Sequence, residues 1–132
     1  MTDITRNGLF NQKRKPDMAV FNPTEAQILA VAGVANLPPR SIVLAVYANV
    51  LTASTTVGAN VSLRVGATAI ATNMDVATTG VKKEAVVGPQ YFATGGLIEV
   101  IGGAVPPAAG DLVSEYIVEY IELDKVTGEY TA

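Results

Sequence analysis

The sequence predicts an all-β fold, a single domain behind an extended N-terminal arm. Three observations carry that expectation. Val, Ile and Thr supply 39 of the 132 residues, and β-branched side chains lose rotamer freedom in a helix but pack well on a pleated surface. Turn formers punctuate the chain at short intervals, as Gly58, Gly66, Gly80, Gly88-Pro89, Gly95-Gly96 and Gly102-Gly103, cutting it into strand-sized pieces. The length, 132 residues, is that of one domain with its own core.

Residues 1–24 form the predicted arm and residues 25–132 the folded body. Arg6, Lys13, Arg14 and Lys15 stand in the arm among Asn, Gln and two prolines, with no periodic apolar pattern. Next, Thr24-Glu25-Ala26-Gln27 followed by Ile28, Leu29, Val31 and Ala32 has the form of a capping box before an apolar run. Helix and strand both stay open for this segment. After Leu37-Pro38-Pro39-Arg40 comes the clearest strand, with Ile42, Leu44, Val46, Ala48 and Val50 on one face and Val43, Ala45, Tyr47, Asn49 and Leu51 on the other. Both faces are largely apolar, so this strand is expected at the centre of a sandwich or under a neighbouring subunit.

Val61, Leu63 and Val65 alternate with Ser62 and Arg64, the pattern of a half-exposed strand near the surface. Further short strands are expected over 67–74, 81–87, 90–93 and 97–101. The last strand runs over 112–123, with Tyr116, Val118 and Tyr120 on one face and Glu115, Ile117, Glu119 and Ile121 on the other. The spacing of Tyr116 and Tyr120 also fits a helix, but the β-branched and aromatic content favours a strand.

Charge is spread unevenly. The arm is basic, the closing stretch carries Asp111, Glu115, Glu119, Glu122, Asp124 and Glu129 against Lys125, and the net charge is −3. An acidic chain is not expected to bind nucleic acid. No stretch reaches the ~18 apolar residues of a spanning helix, and the basic run Lys13-Arg14-Lys15 stands too far from Ala26–Ala35 to form a leader with it. The expectation is therefore no membrane partner and a chain that begins at its natural start.

The absence of Cys, His and Trp removes disulfides, thiolate chemistry, imidazole bases and the commonest transition-metal ligands. No phosphate-binding, dinucleotide-binding or nucleophile-elbow motif occurs. On a strand Glu115 and Glu119 would stand roughly 13 Å apart, wider than the ~5–9.5 Å of paired glycosidase carboxylates. No catalytic residue, cofactor or metal site is expected. Asn60-Val61-Ser62 matches a glycosylation acceptor only as a common triplet. The residues expected to meet a partner are Arg6, Lys13, Arg14 and Lys15 as a basic docking element, with Phe10 and Phe21 as aromatic anchors.

The succession Leu37-Pro38, then Ser41-Ile-Val-Leu-Ala-Val-Tyr-Ala-Asn-Val-Leu-Thr-Ala53, then Gly58-Ala-Asn-Val-Ser-Leu-Arg-Val-Gly66, then Ala109-Gly110 and Val118-Glu-Tyr-Ile121 resembles small tailed-bacteriophage virion proteins of the capsid decoration, or cement, type. The resemblance spans residues 37–121 and maps no individual binding residue. It implies a jelly-roll-like β-sandwich on the capsid exterior, usually a homotrimer over junctions between capsomers, with the major capsid protein as partner and no enzymatic activity. The basic arm would then grip an acidic patch of that partner. Two other readings stay in view: another virion part, from tail, neck or fibre base, and a carbohydrate-binding β-module stacking sugars on Tyr47, Tyr91, Tyr116 and Tyr120.

Overall fold

A computed structural model describes residues 16–31, 33–88, 90–108 and 112–123. Their elements are β1 (Asp17–Phe21), α1 (Glu25–Leu29), β2 (Gly33–Leu37), β3 (Ser41–Thr52), β4 (Asn60–Val65), β5 (Thr68–Asp75), β6 (Gly80–Glu84), β7 (Tyr91–Phe92), β8 (Gly96–Gly102) and β9 (Val113–Glu122). Every strand pair is antiparallel. One sheet has the order β1-β9-β3-β6, with β7 also paired to β3, and the other has the order β2-β8-β4-β5. The pairings nest: β1 with β9, β2 with β8, β3 with β6 and β4 with β5. A chain doubled back on itself and rolled so that successive pairs alternate between two sheets is a jelly roll, as expected.

The sheets close on one core that includes Val46, Ala48, Val61, Leu63, Ile70, Met74, Ile98, Val100, Tyr116 and Val118. β3 is central as expected, but its faces are not the two simple alternating sets. The register slips between Val43 and Ala45 against β9, and a bulge there puts two residues opposite one and resets the alternation. Ser41 and Val43 point inward before it, Val46, Ala48 and Val50 after it, and Leu44 is exposed. β4 keeps the expected alternation but lies deeper than expected. Flanked by β8 and β5, it is an inner strand whose Val61, Leu63 and Val65 are buried; only its Arg64 side reads as surface.

The arm boundary needs the clearest correction. Residues 17–21 are not arm but β1, paired from Asp17 opposite Tyr120 to Phe21 opposite Tyr116. Five residues with two apolar side chains facing out show no inside-outside alternation in sequence, and β9 supplies the ladder that orders them. Phe21 is 7% exposed, and its ring lies 5.9 Å from that of Tyr116 at 30°. It is a core residue, and the expectation of Phe21 as a partner-facing anchor is overturned. Arg6, Phe10, Lys13, Arg14 and Lys15 lie outside the described residues.

α1 settles the open segment as a helix. The Gln27 amide N–H reaches the Thr24 hydroxyl at 3.2 Å, and the Thr24 N–H reaches Gln27 Oε1 at 2.8 Å, the reciprocal capping expected from the motif. Ile28 anchors the helix in the core. Glu25 is carried into the protein beside Ser54, whose hydroxyl lies 3.5 Å from Glu25 Oε2.

Candidate interaction surface

A strand presents alternate residues to opposite sides, so once the core face is filled the register fixes what the outer face shows. On the five-stranded sheet, Val20 stands opposite Ile117, Ile117 opposite Tyr47, and Tyr47 opposite Lys83. Parallel rows set Met18 beside Glu119, Glu115 beside Asn49 and Val81, and Ile121 beside Ile42 and Tyr91. The surface is apolar with an acidic strip along β9. Seven large apolar side chains of these strands are exposed: Met18 and Val20 on β1, Leu44 and Leu51 on β3, Val81 on β6, Tyr91 on β7 and Val113 on β9.

The other sheet is different. Leu97 is the large apolar side chain its strands expose, and Arg64 on β4 pairs with Glu99 on β8, Nε to Oε1 at 2.8 Å. Ser62 on the same side accepts the Asn73 N–H at 3.0 Å. One face of the sandwich therefore suits water, and the other carries contiguous apolar area of the sort that marks an interaction site.

The free edges differ too. β6 carries Lys82 and Lys83, and Lys82 Nζ lies 2.9 Å from Asp75 Oδ2. That hydrogen bond, followed by the Ala77 N–H, holds the Asp75 carboxyl below its ordinary value. The edge strand β5 is partly covered, because the Val87 N–H donates to the Ile70 carbonyl at 3.0 Å. β1 has no lysine, and its outward Met18 and Val20 are 59% and 61% exposed. Charge and cover keep edge strands from pairing with other chains; β1 carries one charge, Asp17 at its first position, and is otherwise apolar. Beside it a shallow groove of about 360 Å³ opens between β1, α1 and β2, lined by Val20, Asn22, Gln27 and Val34 among others.

The proposed sugar-stacking tyrosines do not gather. Tyr116 is fully buried; its hydroxyl accepts from Ser114 Oγ at 2.9 Å. Burial pushes it up to about 12, with the Ser114 bond working against the rise and nearby Glu84 adding to it. Tyr47 and Tyr91 do face outward, within the apolar surface. Asn60 is held as a structural residue, its Oδ1 accepting the Val105 N–H at 3.1 Å. Among the described residues no group of three or more acidic, His or Cys side chains is placed to hold a metal. None of their helices is long and apolar enough to cross a membrane.

The fold class is thus a jelly-roll β-sandwich with one apolar, partly acidic outer face. No protein-family model matches the chain, and no curated protein matches it. Among solved structures it is similar to a chain described as "Cyanophage Pam1 capsid asymmetric unit", at a TM-score of 0.55 and 15% identity, over 89% of this chain and 94% of that one. A likeness of that kind, covering nearly the whole of both chains, is one of fold.

Proposed function

We propose that this chain is a structural, non-enzymatic component of a bacteriophage head: a decoration protein that binds the outer surface of the shell and bridges capsomers, acting as a homo-oligomer, with a trimer favoured. The observation that carries the reading is the outer face of the β1-β9-β3-β6 sheet, which leaves seven large apolar side chains in water that contact with neighbouring subunits would cover. The fold shared with a chain from a phage capsid asymmetric unit and the sequence resemblance to decoration proteins support it from two further directions. Bridging works by burial: apolar area removed from water between subunits contributes roughly 25 cal/mol per Å² before the costs of association. Its partners would be the major capsid protein and further copies of itself.

The test adds purified protein to undecorated heads of the phage that encodes it and follows particle disruption on heating. Binding with a raised disruption temperature is the expected result. No binding to heads overturns the proposal, and binding to tails or necks instead assigns the same fold to another part of the virion.

A further inference from the structure

We infer that the apolar and acidic face of the five-stranded sheet receives the N-terminal segment, residues 1–15, of a second copy of this chain. The inference rests on the reading of that face as an interface and names what covers it. From the sequence alone, the acidic partner of the basic segment was expected on the major capsid protein; the chain carries such a surface itself.

The first argument is chemical complementarity. Met18, Val20 and Ile117 lie on the same face as Glu115 and Glu119, in adjacent rows across β1 and β9. Asn49 Nδ2 donates to Glu115 Oε1 at 2.9 Å, but neither carboxylate enters an ion pair among the described residues. Residues 1–15 bring the matching set: Arg6, Lys13, Arg14 and Lys15 against one acid, Asp3, interspersed with Ile4, Leu9 and Phe10. Apolar residues can meet apolar rows while basic side chains reach the acidic strip, an arrangement that gives register as well as attraction.

The second argument is where the chain enters the sheet. β1 starts at Asp17 opposite Tyr120 and runs towards Phe21 opposite Tyr116. Ile117 and Glu115 therefore lie ahead of the entry point, while residues 1–15 precede it. To cover those residues of its own face the segment would have to reverse direction before reaching Asp17. A neighbouring copy's face demands no reversal. Fully extended, such a segment reaches up to about 50 Å, against roughly 15–20 Å across the four strands β1-β9-β3-β6. β1 is the edge strand at the border of this face, the position at which an extended segment adds to a sheet by backbone pairing.

The experiment is sedimentation velocity on the full-length chain, without heads, so its outcome is independent of whether the protein decorates them. Two charge-reversed variants are compared with the unmodified chain: Lys13→Glu/Arg14→Glu/Lys15→Glu and Glu115→Lys/Glu119→Lys. The unmodified chain should self-associate, and more weakly as salt is raised. Each variant alone should associate at least about tenfold more weakly, and an equimolar mixture of the two should recover most of the loss, because an acidic segment then meets a basic face. Circular dichroism checks folding, and if the Glu115→Lys/Glu119→Lys chain is unfolded, Glu115→Gln/Glu119→Gln replaces it and should weaken association in the same direction. A monomeric unmodified chain, a folded variant that associates undiminished, or a mixture of the two reversed variants that recovers nothing would overturn the inference.

Discussion

Phe21 and Tyr116 bind β1 to the core, with their ring centroids 5.9 Å apart. Phe21→Ala should therefore destabilise the isolated chain by about 3–5 kcal/mol, the usual cost of emptying a large aromatic site. Urea unfolding measures it; a loss near zero would return Phe21 to the role of a partner-facing anchor. Tyr116 supplies a pH signature. Its folded hydroxyl titrates at about 12 and a free tyrosine near 10, so the folded chain keeps a proton that the unfolded chain gives up. The stability tied to this group is intact below about pH 10 and is lost as pH rises towards about 12. Tyr116→Phe should remove that decline, read as unfolding free energy against pH. Asp75 behaves in the opposite sense. Lys82 lowers its value, so its contribution is present above the ordinary carboxylate range and is lost as pH falls through the lowered value. Solvent screening keeps it small. Lys82→Met should move the Asp75 titration upward by NMR; an unchanged midpoint would remove Lys82 as the cause.

β4 and β9 were legible in the sequence by their alternation, β3 by a long run apolar on both faces, and β5, β6, β7 and β8 as short runs between turn formers. Val61, Leu63 and Val65 spell out their buried face directly. β1 was hidden for a physical reason: Asp17, Met18, Ala19, Val20 and Phe21 put apolar side chains on both faces, and their partner β9 lies almost a hundred residues away. Proximity to the basic run Lys13-Arg14-Lys15 made them look like arm. The bulge between Val43 and Ala45 was hidden too, since it arises from pairing and leaves no local turn residue. α1 was readable as far as its cap. Thr24→Ala should cost about 1 kcal/mol by removing the hydroxyl that accepts the Gln27 N–H, measured by thermal unfolding. Gly95 holds the junction before β8 at φ +67, and a Cβ there would collide with the backbone of Leu37 and Pro38. Gly95→Ala should destabilise by about 2 kcal/mol or more through strain and collision together; a neutral result would show that the β2–β3 turn can move away.

Across the whole molecule, two sheets of one sandwich differ in what they show to water. The β2-β8-β4-β5 sheet presents the Arg64–Glu99 pair, while the β1-β9-β3-β6 sheet presents apolar rows bordered by Glu115 and Glu119. The sequence revealed the components of this asymmetry, a body short of charge and a closing strand rich in acid. It could not reveal their placement, because side-by-side rows such as Val20, Ile117 and Tyr47 come from three distant parts of the chain and meet only through the register. Met18 offers a direct readout: it is 59% exposed in the isolated chain and its thioether is readily oxidised. The deciding measurement is hydroxyl-radical footprinting of Met18 in the dilute chain and in the assembled particle. Coverage of the face requires Met18 oxidation to fall several-fold on assembly, whereas equal oxidation in both states would contradict it.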